Sequence, residues 1–426
     1  MSAPGPGVVR ALLVLAFVLG LAPAATAGSL DLEIAGHEVP VEVFPAEGDR
    51  LVLWLPSEQG IPPRAGPLAE RLAERGAEVW MADLHAGFFL PPGPYSLLGV
   101  PEGTVPALIR EALERTDKKV YLMASGRTVP LALEGVRRWQ VEDAGDGRLR
   151  GALLFHPKLY RRTPQGGEEG ELLPVARATN VPVYLIQPTL SAASWRADRI
   201  VQALESGGSP VFLHRVAGVS DGFHVRPDAT DAELEASRRL PQVLERALEL
   251  LDEYGGAPPV AAPLPSEPGG IEPPSRTTLL SPYEGEPGAP PLSLPTLGGG
   301  TQRLADPTGR VVLVNFWATW CPPCVEEIPS LNRLYARLAD EGLQILAVNV
   351  GESPEQVGRF LEDKPTAFPV LLDEDGRALR DWKVYAFPTT FAIDSQGRIR
   401  YAVYGAFDWD SDEVVRTLRG LMEGDG

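Results

Sequence analysis

Apolar residues follow two different repeats along the first half of the chain. Short apolar runs rich in β-branched residues predict strands, at Val39–Phe44, Leu51–Leu55, Glu78–Leu84, Lys119–Ala124, Gly151–Phe155, Val181–Gln187 and Val211–Val216. Apolar positions three or four residues apart predict helices, at Gly66–Arg75, Val105–Arg115, Val129–Trp139, Trp195–Ser206 and Asp231–Tyr254. Strands that alternate with helices indicate βαβ units. We therefore predict an α/β domain with a mostly parallel sheet over residues 28–254.

A stretch dense in proline and glycine interrupts this alternation. Between Gly255 and Pro295 lie 12 prolines and 6 glycines, with few large apolar residues. Such a segment cannot bury a core and favours an extended, semi-rigid linker. We predict this linker over residues 255–287 and a second domain over residues 288–426.

The second domain shows a shorter α/β pattern. The sequence predicts a strand at Val311–Trp317 and a helix from the Cys321–Cys324 motif to about Glu341. It then predicts a strand, a helix, a hairpin and a final helix, at Gln344–Val350, Glu355–Asp363, around Asp394–Gly397 and from Ser411. The predicted architecture is thus two α/β domains joined by a proline-rich linker.

Residues 1–27 have the three parts of a secretory signal peptide. Arg10 supplies positive charge, Ala11–Leu21 is an apolar run, and Ala25-Thr26-Ala27 is a small-residue cleavage site. The apolar run is shorter than the roughly 20 residues that span a bilayer, and no later stretch is apolar enough to do so. We predict export, a mature start near Gly28, and a periplasmic protein without stable membrane insertion.

Composition disfavours nucleic acid as a partner and limits the chemistry that the two cysteines can carry out. Acidic residues outnumber basic ones by 57 to 39, and the net charge of −18 disfavours binding to nucleic acid. The two cysteines, Cys321 and Cys324, are too few for a disulfide scaffold or a four-thiolate zinc site. The second domain has no histidine to complete a metal site. In an oxidising compartment the pair favours a redox-active disulfide, with no metal or other cofactor.

The motif Trp320-Cys321-Pro322-Pro323-Cys324 lies between a predicted strand and a predicted helix. At a helix N-terminus, N–H groups and the helix dipole would stabilise a thiolate at Cys321, and a thiolate is the species that attacks disulfides. Cys324 would lie one turn inside the helix, ready to resolve a mixed disulfide. Pro322 and Pro323 suit the first helical turn, where a missing N–H costs nothing, and they stiffen the loop.

The run from Asn315 to Cys324 resembles the active site of the thioredoxin superfamily, and of its TlpA/ResA-like branch in particular. The resemblance extends through Glu326–Pro329 and Phe387–Asp394, and it covers about residues 288–423. It implies a thioredoxin fold and a thiol–disulfide oxidoreductase.

The resemblance also implies a surface that binds the substrate. Pro388 would follow a cis peptide bond and pack beside the cysteines. The backbone of Phe387, the residue before it, would receive the extended chain of a client protein. Trp320, Pro322 and Pro323 would complete this surface.

Glu327 is expected to handle the proton of Cys324. Thioredoxin itself carries a buried aspartate at the position of Asn315, which cannot hold a proton. The TlpA/ResA-like branch instead places a glutamate at the position of Glu327, one helical turn after Cys324 and on the same face. A buried carboxylate there has a raised pKa and can accept a proton. Glu326 would be the exposed member of this pair.

Partners also follow from the resemblance. It implies reduction of specific periplasmic disulfides, such as those of apocytochrome c or of copper-site proteins, although the cysteine spacing leaves the direction of the reaction open. A periplasmic reductase needs an electron source. The implied donor is a membrane thiol-relay protein of the DsbD type.

The segment Leu68–Trp80, followed by Asp83, resembles an α/β-hydrolase, and the likeness covers about residues 30–254. The family carries its nucleophile in a GxSxG elbow after a strand. Here the segment after Lys119–Ala124 places Gly126 at the nucleophile position. The fold is therefore expected without its nucleophile.

Other parts of a hydrolase site are also missing. The turn that would carry the acid, Pro188–Ser194, has no carboxylate, and His224 lies three residues beyond the expected place. The oxyanion loop reads Pro56-Ser57-Glu58. We therefore predict that this domain binds or positions a client and does not catalyse hydrolysis.

Two alternatives stay open at this point. One is a serine hydrolase with a shifted Ser125–His224 dyad and an accessory redox domain. The other is a non-enzymatic assembly factor whose cysteines only hold clients. The apolar loop Phe88–Pro92 with Tyr95 would either cover the vestigial pocket or present a protein-binding surface.

Overall fold

The computed structural model describes residues 27–142, 146–162, 164, 169–227, 229–255, 260–265, 270–272, 280–304 and 311–423. All but the last residue of the predicted signal peptide, and much of the predicted linker, lie outside the described residues. Among the residues described, no helix is long and apolar enough to cross a bilayer.

The first domain is built on an eight-stranded sheet. Its strands are β1 (Gly28–Ile34), β2 (His37–Phe44), β3 (Arg50–Leu55), β4 (Ala77–Ala82), β5 (Lys119–Ser125), β6 (Leu149–Phe155), β7 (Val183–Leu190) and β8 (Val211–Ser220). They are hydrogen-bonded in the order β1-β2-β4-β3-β5-β6-β7-β8. The pairs β1–β2 and β2–β4 are antiparallel and the others are parallel. The predicted mostly parallel sheet is confirmed.

Helices pack on both faces of this sheet. They are α1 (Ala65–Ala73), α2 (Leu84–Gly87), α3 (Thr104–Arg115), α4 (Thr128–Glu142), α5 (Ala197–Ser206) and α6 (Asp231–Tyr254), with 3-10 turns at Ser96–Gly99, Pro174–Arg177 and Ala192–Arg196. Successive strand residues point to opposite faces, and on β5 Tyr121 and Leu122 belong to two different buried apolar clusters. The strands are therefore apolar on both faces, which explains their continuous apolar runs in the sequence.

Described pieces of the predicted linker lie against the first domain. Arg137 donates from Nη2 to the carbonyl of Ala262 (3.0 Å), and Asn180 donates from Nδ2 to the carbonyl of Val260 (2.7 Å). These contacts attach the linker to the surface of the domain that precedes it.

The second domain has a smaller sheet. Its strands are β9 (Ser281–Pro282), β12 (Val311–Trp317), β13 (Leu343–Val350), β14 (Val370–Asp373), β15 (Thr389–Ile393) and β16 (Ile399–Tyr404), while β10 (Ser293–Pro295) and β11 (Thr301–Arg303) form a separate hairpin. The order is β14-β13-β12-β15-β16-β9, with parallel pairing in β14–β13–β12 and antiparallel pairing in the remainder. Since β9 falls inside the predicted linker, this sheet begins before the predicted domain boundary.

Four helices complete the second domain as described, with a 3-10 turn at Ala339–Glu341. They are α7 (Pro322–Leu338), α8 (Pro354–Asp363), α9 (Arg377–Asp381) and α10 (Asp412–Glu423). Strand β12 lies in the middle of the sheet and runs into α7. This junction carries both cysteines.

Candidate active site

Cys321 and Cys324 lie where β12 gives way to α7. Their sulfur atoms form a disulfide, with 5.3 Å between the two Cα atoms. Cys321 caps the helix, and the backbone N–H of Cys324 donates to Cys321 Sγ (3.3 Å). The cysteines are 5% and 1% exposed, so Cys321 is the more accessible of the two. A cysteine at this place is the one whose thiolate the helix N-terminus stabilises.

A rim of partly exposed side chains borders the buried disulfide. Pro322 is exposed and Pro323 is half-buried, and together they form the first turn of α7. The rings of Trp320 and Phe387 meet edge to face at 5.7 Å between centroids. Both rings pack against the apolar cluster that contains the cysteines. The structure thus brings together the residues that the sequence assigns to substrate binding.

The Phe387–Pro388 peptide bond is cis, as the resemblance implies. Pro388 is buried, and its carbonyl accepts a hydrogen bond from the N–H of Gly405 (2.8 Å). Within the described part of the chain, the backbone N–H and C=O of Phe387 form no hydrogen bond. These two groups are therefore available to an extended chain that pairs with them in the manner of an added strand.

Glu327 is buried one turn after Cys324, with 3% of its surface exposed. Its Oε1 accepts a hydrogen bond from Asn315 Nδ2 (2.8 Å), and its Oε2 accepts one from Trp409 Nε1 (3.1 Å). Burial raises the pKa of Glu327 to about 7, although the hydrogen bonds from Trp409 and Asn315 favour the charged form and oppose that effect. At neutral pH this carboxyl group can therefore both take up and release a proton.

Two contacts of Glu327 were absent from the sequence-based predictions. Asn315 appeared there only as a residue that cannot hold a proton, yet it orients the carboxylate and also donates to Thr390 Oγ1 (2.8 Å). Trp409 lies 82 residues after Glu327 in the chain, and no local motif connects the two.

A surface cavity of about 330 Å³ leads to Glu327. Its lining includes Glu326, Ser330 and Arg333 of α7 and the segment Ala406–Asp408. Because the cavity is open to solvent and Glu327 is one of its walls, it gives the buried carboxyl group a route for proton exchange with water.

The loop before Cys321 is held by a second buried carboxylate, Glu352. The backbone N–H of Thr319 donates to Glu352 Oε2 (2.7 Å), and the Thr319 hydroxyl donates to Oε1. Asn349 Nδ2 also donates to Oε2 (2.8 Å). Glu352 therefore ties the turn after β13 to the turn that carries Trp320 and Cys321. The sequence analysis did not single out this residue.

Comparisons with known proteins agree with this geometry. Residues 287–402 match the AhpC/TSA family. The chain is 41% identical over 133 residues to the thiol-disulfide oxidoreductase ResA of Geobacillus kaustophilus, a match that spans 31% of this chain and 75% of that relative. It is 39% identical over 135 residues to ResA of Bacillus subtilis, spanning 32% of this chain and 74% of that relative. The chain belongs to the ResA-type thiol-disulfide oxidoreductases.

The predicted enzyme class and the thioredoxin fold of the second domain are thereby confirmed. Among solved structures, a thioredoxin-family thiol:disulfide interchange protein of Chlorobium tepidum is 27% identical, with a TM-score of 0.29. That likeness spans 33% of this chain and 99% of the other. The ResA likeness itself covers 31% and 32% of the chain in the two ResA relatives, and it lies in the second domain.

The first domain of this ResA-type chain carries glycine at its strand-to-helix elbow. Gly126 follows β5 with a φ of +58°. A Cβ atom at this position would lie 3.0 Å from Glu58 Oε2, and the N–H of Arg127 donates to the same oxygen (3.2 Å). Glu58, from the loop that would form an oxyanion hole, therefore fills the space where a nucleophile would stand.

The alternative Ser125–His224 dyad is not formed. Ser125 and His224 are 6% and 2% exposed, and no hydrogen bond joins them among the described residues. Burial lowers the pKa of His224 to about 3, and its ring stacks on Phe155 at 4.3 Å between centroids. Asp221, the nearest carboxylate in sequence, forms an ion pair with Lys158 (3.0 Å) instead.

The side chains of the apolar loop Phe88–Pro92 and of Tyr95 occupy different surroundings. Phe89 is 87% exposed, whereas Tyr95 borders a cavity of about 660 Å³ beside the elbow, together with Glu58 and α4. The guanidinium of Arg127 lies 4.6 Å from the centre of the Tyr95 ring. Both roles, a pocket cover and a protein-binding surface, therefore stay open.

Proposed function

We propose that the protein reduces disulfides of specific client proteins in the periplasm, and that Cys321, Cys324 and Glu327 carry out the exchange. The observation that carries this proposal is the buried Glu327 carboxyl group, which lies one helical turn from Cys324 and has a pKa of about 7. A group with this pKa can accept a proton from one thiol at neutral pH and later return it.

The reaction starts from the reduced protein. The Cys321 thiolate attacks one sulfur of the client disulfide, which forms a mixed disulfide and releases the other client sulfur as a thiolate. Glu327 then takes the proton of Cys324, and the new Cys324 thiolate attacks Cys321 Sγ. The intramolecular disulfide forms, the second client sulfur leaves as a thiolate, and both client thiolates take up protons. Two electrons pass from the protein to the client.

The rim of the site supports a client that binds as an extended chain. Among the residues that the structure describes, the backbone N–H and C=O of Phe387 have no hydrogen-bond partner, and the rings of Trp320 and Phe387 offer apolar surface on either side. Pro322 and Pro323 form the first turn of α7 and have no backbone N–H groups. This turn therefore offers no donors that would compete with Phe387 for the backbone of the client. Clients of the apocytochrome c or copper-site type are the class that the family resemblance implies.

Each proposed turnover leaves Cys321 and Cys324 as a disulfide, the form that the structure has, so re-reduction must follow. A thiol-relay protein of the DsbD type, anchored in the membrane, is the proposed donor. Export through residues 1–27 would place the chain beside that donor. The first domain, a hydrolase-like scaffold without a working nucleophile, would recruit or orient the client.

Trapping in cells tests the proposal. In Cys324→Ser, Cys321 can attack but cannot be released by resolution, so it should accumulate as a mixed disulfide with the client on non-reducing gels. Cys321→Ser is the matched control and should trap nothing. Equal trapping by both variants, or its absence from both, would contradict the assigned order of attack. Full function of Cys324→Ser would instead favour an assembly factor that only holds clients.

A further inference from the structure

The two domains meet at the turn that follows β7 of the first domain. This turn contains Trp195 and Arg196, directly before α5. It overlaps the end of Pro188–Ser194, the segment where an α/β-hydrolase would carry its catalytic acid and where this chain has no carboxylate. Both side chains contact the second domain close to the redox site.

Trp195 packs its indole on two glycine turns of the second domain. A Cβ atom on Gly376 would lie 2.6 Å from the indole, and one on Gly351 would lie 3.4 Å from it. Both glycines have positive φ, +63° and +77°. Trp195 also joins the apolar cluster on one face of the second sheet, and Arg380 lies 5.4 Å from its ring centre.

The Gly351 contact leads directly to the loop of the attacking cysteine. The next residue, Glu352, is the buried carboxylate that accepts both hydrogen bonds from Thr319. Thr319 is two residues before Cys321. Trp195 therefore braces the turn that holds the Cys321 loop in place.

Arg196 contacts the segment that precedes the cis-proline loop. Its Nη1 donates to the carbonyl of Val384 (2.6 Å), and its guanidinium stacks 3.9 Å from the centre of the Tyr385 ring. The Tyr385 hydroxyl accepts hydrogen bonds from the N–H of Gly170 (2.8 Å) and from Arg199 Nη1 (3.4 Å). The ring also meets Tyr160 edge to face at 5.2 Å.

Tyr385 lies two residues before Phe387, whose backbone and ring form one wall of the client-binding rim. First-domain residues therefore surround Tyr385 and fix the start of the cis-proline loop. One turn of the first domain thus contacts the start of the cis-proline loop directly and reaches the Cys321 loop through Gly351 and Glu352.

We propose that Trp195 and Arg196 are positioning residues for disulfide exchange with extended client chains, because together they set the distance between Trp320 and Phe387. This inference rests on the proposed reduction of client proteins and assigns part of its substrate recognition to the first domain. A small disulfide that needs no chain pairing at Phe387 should depend far less on this contact.

Two probes separate recognition from chemistry. The reduced full-length protein reacts with a peptide closed by a single disulfide and, in a second assay, with dithiobis(nitrobenzoate), an aromatic disulfide without a peptide chain. In Trp195→Ala the peptide concentration that half-saturates this single turnover, its KM, should rise about tenfold with the maximal rate nearly unchanged, since misplacement of a binding wall weakens positioning. The rate with the aromatic disulfide and the reduction potential should stay at wild-type values.

Further variants distinguish the loss of this contact from a general loss of folding. Gly376→Ala introduces a Cβ against the indole from the second domain and should reproduce the rise in KM. Trp195→Phe keeps an aromatic ring and should recover part of the affinity. Arg238→Ala removes an exposed arginine whose partner lies on its own helix, and it should behave as wild type.

The possible outcomes are distinct. Unchanged peptide kinetics in Trp195→Ala and Gly376→Ala would overturn the inference, and so would equal losses with both disulfides, which would indicate general damage to the site. If the wild-type protein reduces the aromatic disulfide but not the peptide, the proposed function itself fails, and the inference fails with it.

Discussion

Replacing Glu327 by glutamine should change how the stability of the oxidised second domain depends on pH. The buried carboxyl group has a pKa of about 7, against a usual value of 4.5. Between these two values the folded protein keeps a proton that the unfolded chain releases. The stabilisation is therefore complete below pH 4.5 and is lost as the pH rises towards 7.

The size of this effect follows from the difference between the two pKa values. Each pKa unit corresponds to about 1.4 kcal/mol, so the full loss is roughly 3 kcal/mol. About 2 kcal/mol of it should fall between pH 5 and pH 8, because the unfolded glutamate is already mostly ionised at pH 5. Glutamine does not titrate, so the stability of Glu327→Gln should not fall by this amount between pH 5 and pH 8.

Glutamine also changes the hydrogen bonds at every pH. Asn315 Nδ2 and Trp409 Nε1 both donate to Glu327, one to each oxygen. The amide of glutamine has a single acceptor oxygen, so one donor loses its partner at a cost of about 1 kcal/mol. Glu327→Gln should therefore be slightly less stable than wild type at pH 5 and more stable at pH 8.

Urea-dependent hydrogen exchange measures this difference in the intact protein. Mass spectrometry of peptides from α7 reports the unfolding of the second domain separately from the first. Glu326→Gln, one residue earlier and exposed, is the matched control and should run parallel to wild type. If the stability difference between Glu327→Gln and wild type is the same at both pH values, within about 0.5 kcal/mol, the elevated pKa on which the mechanism depends is wrong.

Two further substitutions test other parts of the structure. Trp409→Phe removes a donor that stabilises the charged carboxylate, so the pKa of Glu327 should rise further. The midpoint of the pH profile for mixed-disulfide resolution, measured by stopped-flow kinetics, should then move upwards. An unchanged or lower midpoint would contradict this. Gly126→Ser restores a serine at the elbow but places its Cβ 3.0 Å from Glu58 Oε2 at a positive φ. It should lower stability by about 1–2 kcal/mol and leave fluorophosphonate labelling at background, whereas clear labelling would show a hydrolase site that needs only its nucleophile.

The parts of the redox site that are local in sequence could be predicted. The disulfide motif, the buried Glu327 one turn later and the cis bond before Pro388 each belong to a short run of residues. Trp409 could not be predicted in the same way, because its contact with Glu327 depends on the path of the chain after β16. Glu352 was missed for a similar reason, since its partner Thr319 belongs to a different strand-to-helix turn.

In the secondary structure too, features that are local in sequence could be predicted and those that depend on distant contacts could not. The apolar repeat gives the bounds of α6, Asp231–Tyr254, as the structure has them. Strand β1 was missed although Leu30, Leu32 and Ile34 alternate with polar residues, because the segment follows the predicted signal peptide directly. The apolar repeat places Trp195 at the start of a predicted helix of the first domain. Its side chain instead joins an apolar cluster of the second domain, a contact that no pattern within the first domain can reveal.

Several features of the first domain disfavour a hydrolase site. A catalytic acid on the turn after β7 would have to face inward, towards a histidine near the end of β8. The present turn sends Trp195 and Arg196 outward, into Gly376 and Tyr385 of the second domain. Burial also holds the pKa of His224 far below neutrality, and Glu58 fills the space at Gly126. The turn after β7 therefore offers no acid to a hydrolase site and instead contacts the second domain near the redox site.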